Sequence, residues 1–117
     1  MTTSKTFRPA TLLVHGGVNR SPFGETAEAL YLTSGFVYDD AEQAEATFAG
    51  SVQHYQYSRF GNPTVAMLEE RLIQIEAPQG DDIACRATAT GMAAVNAALL
   101  AHLKTGDRMV ASRALFG

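Results

Sequence analysis

The sequence predicts an α/β protein that begins with a parallel sheet. Residues 84–89 are small and mostly apolar, as in a strand that lies between other layers, and apolar residues then recur at helical spacing from Met92 to Leu103. Residues 108–111 predict a second strand after a turn. A strand, a helix and a second strand in this order form a βαβ unit, whose two strands run parallel.

A parallel sheet of only two strands would expose both of its faces and both of its edges, whereas parallel sheets are normally buried. We therefore expect these 117 residues to be the N-terminal part of a larger protein. The N-terminal third supports this expectation. Residues 25–38 contain several large apolar side chains without a helical or strand period, which suits an arm that packs on another domain or subunit.

Two helices are predicted between this arm and the first strand. Asp40 can cap the first, with Gln43 completing a capping box, and Gly50 can end it. Asn62 and Pro63 begin the second, because proline is favoured at the first helical position. Its predicted apolar stripe is Val65, Leu68, Leu72 and Ile75, and its predicted water-facing residues are Glu69, Glu70 and Arg71. The run at residues 11–17, which ends in two glycines, is not assigned to a helix or a strand.

Composition excludes several classes of protein. Apolar residues make up 46% of the chain, charged residues 18%, and the net charge is −3 without a basic stripe, so we expect no nucleic-acid partner. The longest apolar stretch, residues 92–103, is too short to span a bilayer, and residues 1–5 lack the apolar core of a signal peptide. With Cys85 as the single cysteine, no intrachain disulfide can form, and we expect a cytoplasmic protein.

Gly91 lies where the predicted strand turns into the helix that Thr90 can cap. A glycine there lets a ligand approach the backbone, and the N–H groups of the first helical turn attract a phosphate. The chain contains neither the G-x-G-x-x-G nor the Gly-Lys-Ser/Thr phosphate-binding motif, which leaves a cup with a single glycine. The alternative is an ordinary βα unit in which Gly91 only eases the turn.

Metal binding and lysine chemistry are not expected from this segment. His15, His54 and His102 are far apart and lack the spacing of metal ligands. Lys5 and Lys104 are the only lysines, in a loose terminus and at a helix end, and neither suits a buried Schiff-base lysine. We therefore expect no catalytic residue among these 117.

Two motifs resemble the Cys/Met-metabolism family of pyridoxal-phosphate (PLP) enzymes. These are Tyr57-Ser58-Arg59-Phe60-Gly61-Asn62-Pro63-Thr64 and Ala89-Thr90-Gly91-Met92-Ala93-Ala94. Without the resemblance, Arg59 could be an ordinary surface charge and Tyr57 an ordinary loop aromatic. Further similarity at residues 14–17, 20–35 and 112–117 is greatest to family members that make homocysteine from O-succinylhomoserine and sulfide.

The resemblance implies specific cofactor contacts. Tyr57 and Arg59 would bind the PLP phosphate in the neighbouring subunit's site, and the backbone N–H groups of Gly91 and Met92 would bind it in their own subunit. A guanidinium, a phenol and a helix N-terminus are the donors that a phosphate dianion requires. Phe116 stands where many relatives have a tyrosine that stacks on the cofactor ring, and it lacks the hydroxyl of that tyrosine.

The resemblance also implies a fold and a function. The chain would comprise an N-terminal arm and cofactor-clamp loop (residues 1–62) and the incomplete beginning of the PLP-binding large domain (residues 63–117) of an aminotransferase-like, fold type I enzyme. The full-length enzyme would be a homodimer or homotetramer that acts on an amino-acid substrate in methionine biosynthesis. Its Schiff-base lysine would lie beyond Gly117, and the segment alone would be inactive. Two alternatives stay open: another trans-sulfuration enzyme, of the cystathionine γ-synthase or methionine γ-lyase type, or an inactive fragment that binds only phosphate or a partner.

Overall fold

A computed structural model describes residues 7–77 and 82–115 of the chain. These residues form two compact units that divide between Ala87 and Thr88, and each unit is described by itself. The first unit contains helices α1 (Pro9–His15), α2 (Ala41–Phe48) and α3 (Pro63–Glu76), and the second contains α4 (Gly91–His102).

The two predicted strands are not borne out in the part of the chain that the structure describes. Residues 84–89 and 108–111 have no regular secondary structure there, and the β-type pairing that is present is an isolated antiparallel bridge between Gly35 and Tyr57. A strand needs a neighbouring strand to which its backbone can hydrogen-bond, and an apolar run in the sequence identifies only one strand of such a pair. The beginning of a parallel sheet is therefore not shown here.

Helix α2 begins and ends as predicted. The Asp40 carboxylate accepts a hydrogen bond from the N–H of Gln43 (2.7 Å), while the Gln43 side chain accepts one from the N–H of Asp39 (2.8 Å) rather than from Asp40 itself. Gly50 follows the helix with a φ of 75°, and the N–H groups of Gly50 and Ser51 donate to carbonyls of the last turn. This is a Schellman motif, which favours glycine because the left-handed backbone penalises a Cβ atom.

Helix α1 was not predicted from the sequence. Pro9 occupies one of its first positions, and Gly16 is its C-cap. Gly17 has a φ of 69°, and a Cβ atom on it would lie 2.5 Å from the carbonyl oxygen of Met67 in α3. The two helices therefore pack so closely at this point that only glycine fits.

The buried face of α3 differs from the predicted stripe. Met67 is only 2% exposed, whereas Val65, Leu68 and Leu72 are 41–49% exposed. Arg71, predicted to face water, instead donates from Nε to the Gly16 carbonyl (2.9 Å) and forms an ion pair with Glu28. In this unit, α3 therefore packs on α1 with the face that carries Met67 and Arg71 and not with the predicted stripe.

Helix α4 begins at Gly91 with Thr90 as its N-cap, as predicted, and the Thr90 hydroxyl accepts a hydrogen bond from the N–H of Ala93 (3.1 Å). It ends at His102. No helix in the described ranges is long and apolar enough to cross a membrane. The predicted division into residues 1–62 and 63–117 concerns the whole enzyme and stays a prediction.

Candidate functional site

The loop that carries Tyr57 and Arg59 is fixed by the start of helix α3. Asn62, only 7% exposed, caps the helix by accepting from the N–H of Thr64 (2.9 Å). Its amide nitrogen also donates to the hydroxyl of Ser58 (2.9 Å). One buried amide thus ties the loop residue between Tyr57 and Arg59 to the rigid helix that follows.

The same residues attach the N-terminal arm. The Asn62 amide donates to the Tyr31 carbonyl (2.9 Å), and the Ser58 hydroxyl donates to the Thr33 carbonyl. The Thr64 hydroxyl accepts from the N–H of Tyr31 (2.9 Å) and donates to the carbonyl of Ala29 (3.0 Å). The backbone N–H and C=O groups of an irregular arm need hydrogen-bond partners. These polar side chains provide them in place of the neighbouring strand that a sheet would provide.

Backbone hydrogen bonds complete the attachment between loop and arm. The Ser58 N–H donates to the carbonyl of Ser34 (2.8 Å), and the N–H of Phe36 donates to that of Gln56 (3.2 Å). These bonds flank the isolated bridge between Gly35 and Tyr57. The sequence predicts Asn62 as a helix start. The contacts by which Asn62 and Thr64 hold the arm were not predicted.

Tyr57 and Arg59 lie beside each other in the loop. The Arg59 guanidinium carbon lies 5.3 Å from the centroid of the Tyr57 ring and 5.4 Å from that of Phe60. All three residues are exposed. In the ranges described, the ion pairs involve Arg71 and Arg86, so the positive charge of Arg59 is held by two aromatic rings without a carboxylate partner. An exposed guanidinium beside a phenol suits an anion.

Gly91 and Met92 form the first turn of α4 in the other unit. The Thr90 side chain and carbonyl accept from the N–H groups of Ala93 and Ala94. The N–H groups of Gly91 and Met92 therefore precede the bonded part of the helix and point along its positive end. A Cβ atom on Gly91 would meet no described atom within 4 Å, so the chain's own described neighbours do not require glycine there.

A cleft of about 420 Å³ opens beside the loop and is lined by residues that include Ser58, Asn62, Glu69 and Arg86. Glu69, predicted to face water, accepts hydrogen bonds from Arg86 (3.1 Å) and from the N–H of Ala87 (2.8 Å). The charges in this cleft offset each other, which leaves Arg59 as the better anion ligand of the loop. Phe116, the predicted stacking residue, lies outside the described residues.

Between α1 and α2, Glu25 closes a polar turn. Its carboxylate accepts hydrogen bonds from the hydroxyl (2.6 Å) and from the N–H (2.7 Å) of Ser21, and these bonds lower the pKa of Glu25 below its ordinary value. Arg20 adds a bond from Nε to the Glu25 carbonyl (3.1 Å). The turn therefore keeps its carboxylate ionised without a direct role in anion binding.

Comparisons with known proteins find one family over nearly the whole chain. The profile of a family described as Cys/Met metabolism PLP-dependent enzyme matches residues 10–117. An O-succinylhomoserine sulfhydrylase of Mycobacterium tuberculosis (strain H37Rv) is 58% identical over 108 residues, and one of Pseudomonas aeruginosa is 42% identical over 107. An L-methionine gamma-lyase of Porphyromonas gingivalis is 40% identical over 108 residues.

Each of these alignments covers 92% of this chain but 26% of the relative, so the chain spans about a quarter of the length of the curated relatives it matches. The cofactor of the family is PLP, and family membership implies fold type I. An arginine without a carboxylate partner among the described residues, a phenol and two helix N-terminal N–H groups fit the phosphate of that cofactor. Since the profile covers nearly all of its length, the chain belongs to the Cys/Met metabolism family of PLP-dependent enzymes.

Proposed function

We propose that the protein containing this chain is a sulfhydrylase that makes homocysteine from O-succinylhomoserine and sulfide. The observation that carries the proposal is the 58% identity to the M. tuberculosis sulfhydrylase over 92% of the chain, against 40% for the P. gingivalis gamma-lyase over the same share. The reaction is a γ-replacement: succinate leaves Cγ of the substrate, and the sulfur of sulfide bonds to the same carbon.

When bound, PLP supplies the electron sink that makes protons at Cα and Cβ of an amino acid removable. The residues of this chain bind and orient the cofactor through its phosphate. Arg59 and Tyr57 donate to the phosphate in a neighbouring subunit's site, and the N–H groups of Gly91 and Met92 donate to it in their own. Phe116 stacks on the ring without providing a hydroxyl for proton transfer.

The exposed position of the Arg59 loop supports its role toward another subunit. Arg59 and Phe60 project from a loop whose inner side is occupied by bonds to the arm, and Phe60 is 79% exposed. The proposed assembly is a homodimer or homotetramer in the cytoplasm, with its role in methionine biosynthesis.

The second candidate is a methionine gamma-lyase, which the 40% identity to the P. gingivalis protein favours over other family activities. The full-length protein is supplied in parallel reactions with O-succinylhomoserine and sulfide, with O-succinylhomoserine and cysteine, and with methionine alone. Mass spectrometry follows homocysteine, cystathionine and methanethiol. Homocysteine as the main product supports the sulfhydrylase, whereas a faster release of methanethiol from methionine, or more cystathionine than homocysteine, overturns it.

A further inference from the structure

The side chain of Asn62 makes more bonds than a helix cap requires. Its oxygen accepts from the Thr64 N–H, which is the cap. Both hydrogens of its amide are used as well, on the Tyr31 carbonyl (2.9 Å) and the Ser58 hydroxyl (2.9 Å). Because Asn62 is only 7% exposed, water cannot readily replace any of these partners.

Direction matters in this network. The Ser58 hydroxyl has one hydrogen, and it donates that hydrogen to the Thr33 carbonyl. Toward Asn62, the same hydroxyl must therefore accept, and so must the Tyr31 carbonyl. A carboxylate at position 62 would keep the cap but face the Tyr31 carbonyl, which can only accept. It could gain a hydrogen from Ser58 only if that hydroxyl released the Thr33 carbonyl.

We propose that Asn62 is a positioning residue for the anion-binding loop: its amide, acting through Ser58, fixes Arg59 and Tyr57 for the cofactor phosphate. Ser58 lies between those two residues in the sequence, so its side chain and backbone set where both neighbours project. This inference rests on the proposed phosphate role of Arg59. The inference goes beyond that role, because it assigns the orientation of Arg59 and Tyr57 to the amide of Asn62, which does not itself contact the phosphate.

The test uses the full-length protein and two probes, PLP and pyridoxal, which lacks the phosphate. Asn62→Asp keeps the helix cap, because aspartate caps as well as asparagine, but removes both donated bonds. We expect the affinity for PLP to fall about tenfold, as for the loss of one or two hydrogen bonds, with little change for pyridoxal. The matched control is Asp40→Asn, the opposite exchange at the α2 cap, where the side chain accepts one hydrogen bond from a backbone N–H.

A double-mutant cycle with Arg59→Ala identifies the route. If Asn62 acts through Arg59, then Asn62→Asp weakens PLP binding in the wild-type background and adds little in the Arg59→Ala background. Ser58→Ala, a smaller change, should show the same pattern and serves if Asn62→Asp fails to fold. Equal losses for PLP and pyridoxal, or full additivity with Arg59→Ala, overturn the inference.

The outcomes also separate this inference from the proposals on which it rests. If Arg59→Ala leaves PLP affinity unchanged, the phosphate assignment and the inference both fail. If Arg59→Ala weakens PLP binding but neither Asn62→Asp nor Ser58→Ala does, only the inference fails. Neither result depends on which sulfur compound the enzyme uses, because the readout is cofactor affinity and not product.

Discussion

Replacing Gly17 with alanine tests the packing of α1 on α3. At a φ of 69°, an alanine costs about 1–2 kcal/mol from the left-handed backbone alone. Its Cβ atom would also lie 2.5 Å from the Met67 carbonyl oxygen and 2.8 Å from the Arg71 nitrogen. Both are backbone atoms of a helix and cannot rotate away, so the overpacking adds about 1–3 kcal/mol.

Gly24→Ala is the matched control. Gly24 has nearly the same φ, 68°, but a Cβ atom on it would meet no described atom within 4 Å. The control therefore carries the backbone cost without the contact against α3.

Hydrogen exchange followed by mass spectrometry on the full-length protein measures the effect. Amides of residues 9–17 should exchange about 30- to 4,000-fold faster in Gly17→Ala than in Gly24→Ala. The backbone cost and the overpacking together destabilise this segment by about 2–5 kcal/mol, and about 1.4 kcal/mol is a factor of ten in the opening equilibrium. In Gly24→Ala, faster exchange should be confined to residues 20–25. Equal exchange of residues 9–17 in the two variants would show that α1 is not seated on α3 through Gly17.

Three further predictions concern the cofactor contacts and the Glu25 turn. In the first, full-length dimers are co-refolded from equal amounts of an Arg59→Ala chain and a chain that lacks the Schiff-base lysine. Activity should recover to about a quarter of wild type, because about half the dimers are mixed and each mixed dimer has one intact site of two. Activity that stays at the parental level in confirmed mixed dimers would reject the trans role. Phe116→Ala should weaken PLP retention by about 1 kcal/mol, whereas Phe116→Tyr is tolerated; equal retention in wild type and the alanine variant would make Phe116 a packing residue. Because the hydrogen bonds from Ser21 lower the pKa of Glu25, the carboxylate stabilises the turn above the unfolded-state pKa, and this contribution is lost as the pH falls through the lower folded-state pKa. NMR titration should show a midpoint below the ordinary glutamate value that Ser21→Ala raises, and an unchanged midpoint would contradict the assignment.

The helix starts were predictable because their causes are local. Asp40, Asn62 and Thr90 each accept a hydrogen bond from an N–H two or three residues ahead, so a few residues of sequence contain the whole motif. Gly50 is equally local, since the Schellman bonds span only the last turn of α2. The pairing of Tyr57 with Arg59 follows from their closeness in one loop.

The features that the structure does not show, or places differently, depend on distant partners. The stripe from Val65 to Ile75 follows the hydrophobic period of α3, but the packed face is selected by α1, which meets it through Gly17 and Arg71. The strand at residues 84–89 needs a neighbour that no local pattern supplies. Likewise, the hydrogen bond from Asn62 to the Tyr31 carbonyl joins residues that are 31 apart in the sequence, and no residue near Asn62 identifies that partner.

The contacts that secure the arm have a consequence for the order of folding. Arg71 reaches a carbonyl 55 residues earlier in the chain, and Thr64 reaches one 35 residues earlier. During translation at about 5–20 residues per second, the α1 segment is therefore made about 3 to 11 seconds before its partner in α3 exists. Until then, the carbonyls of Gly16 and Ala29 lack these side-chain donors. The segment that bears α1 is thus made first, and these contacts join it to the rest of its unit only once α3 has been synthesised.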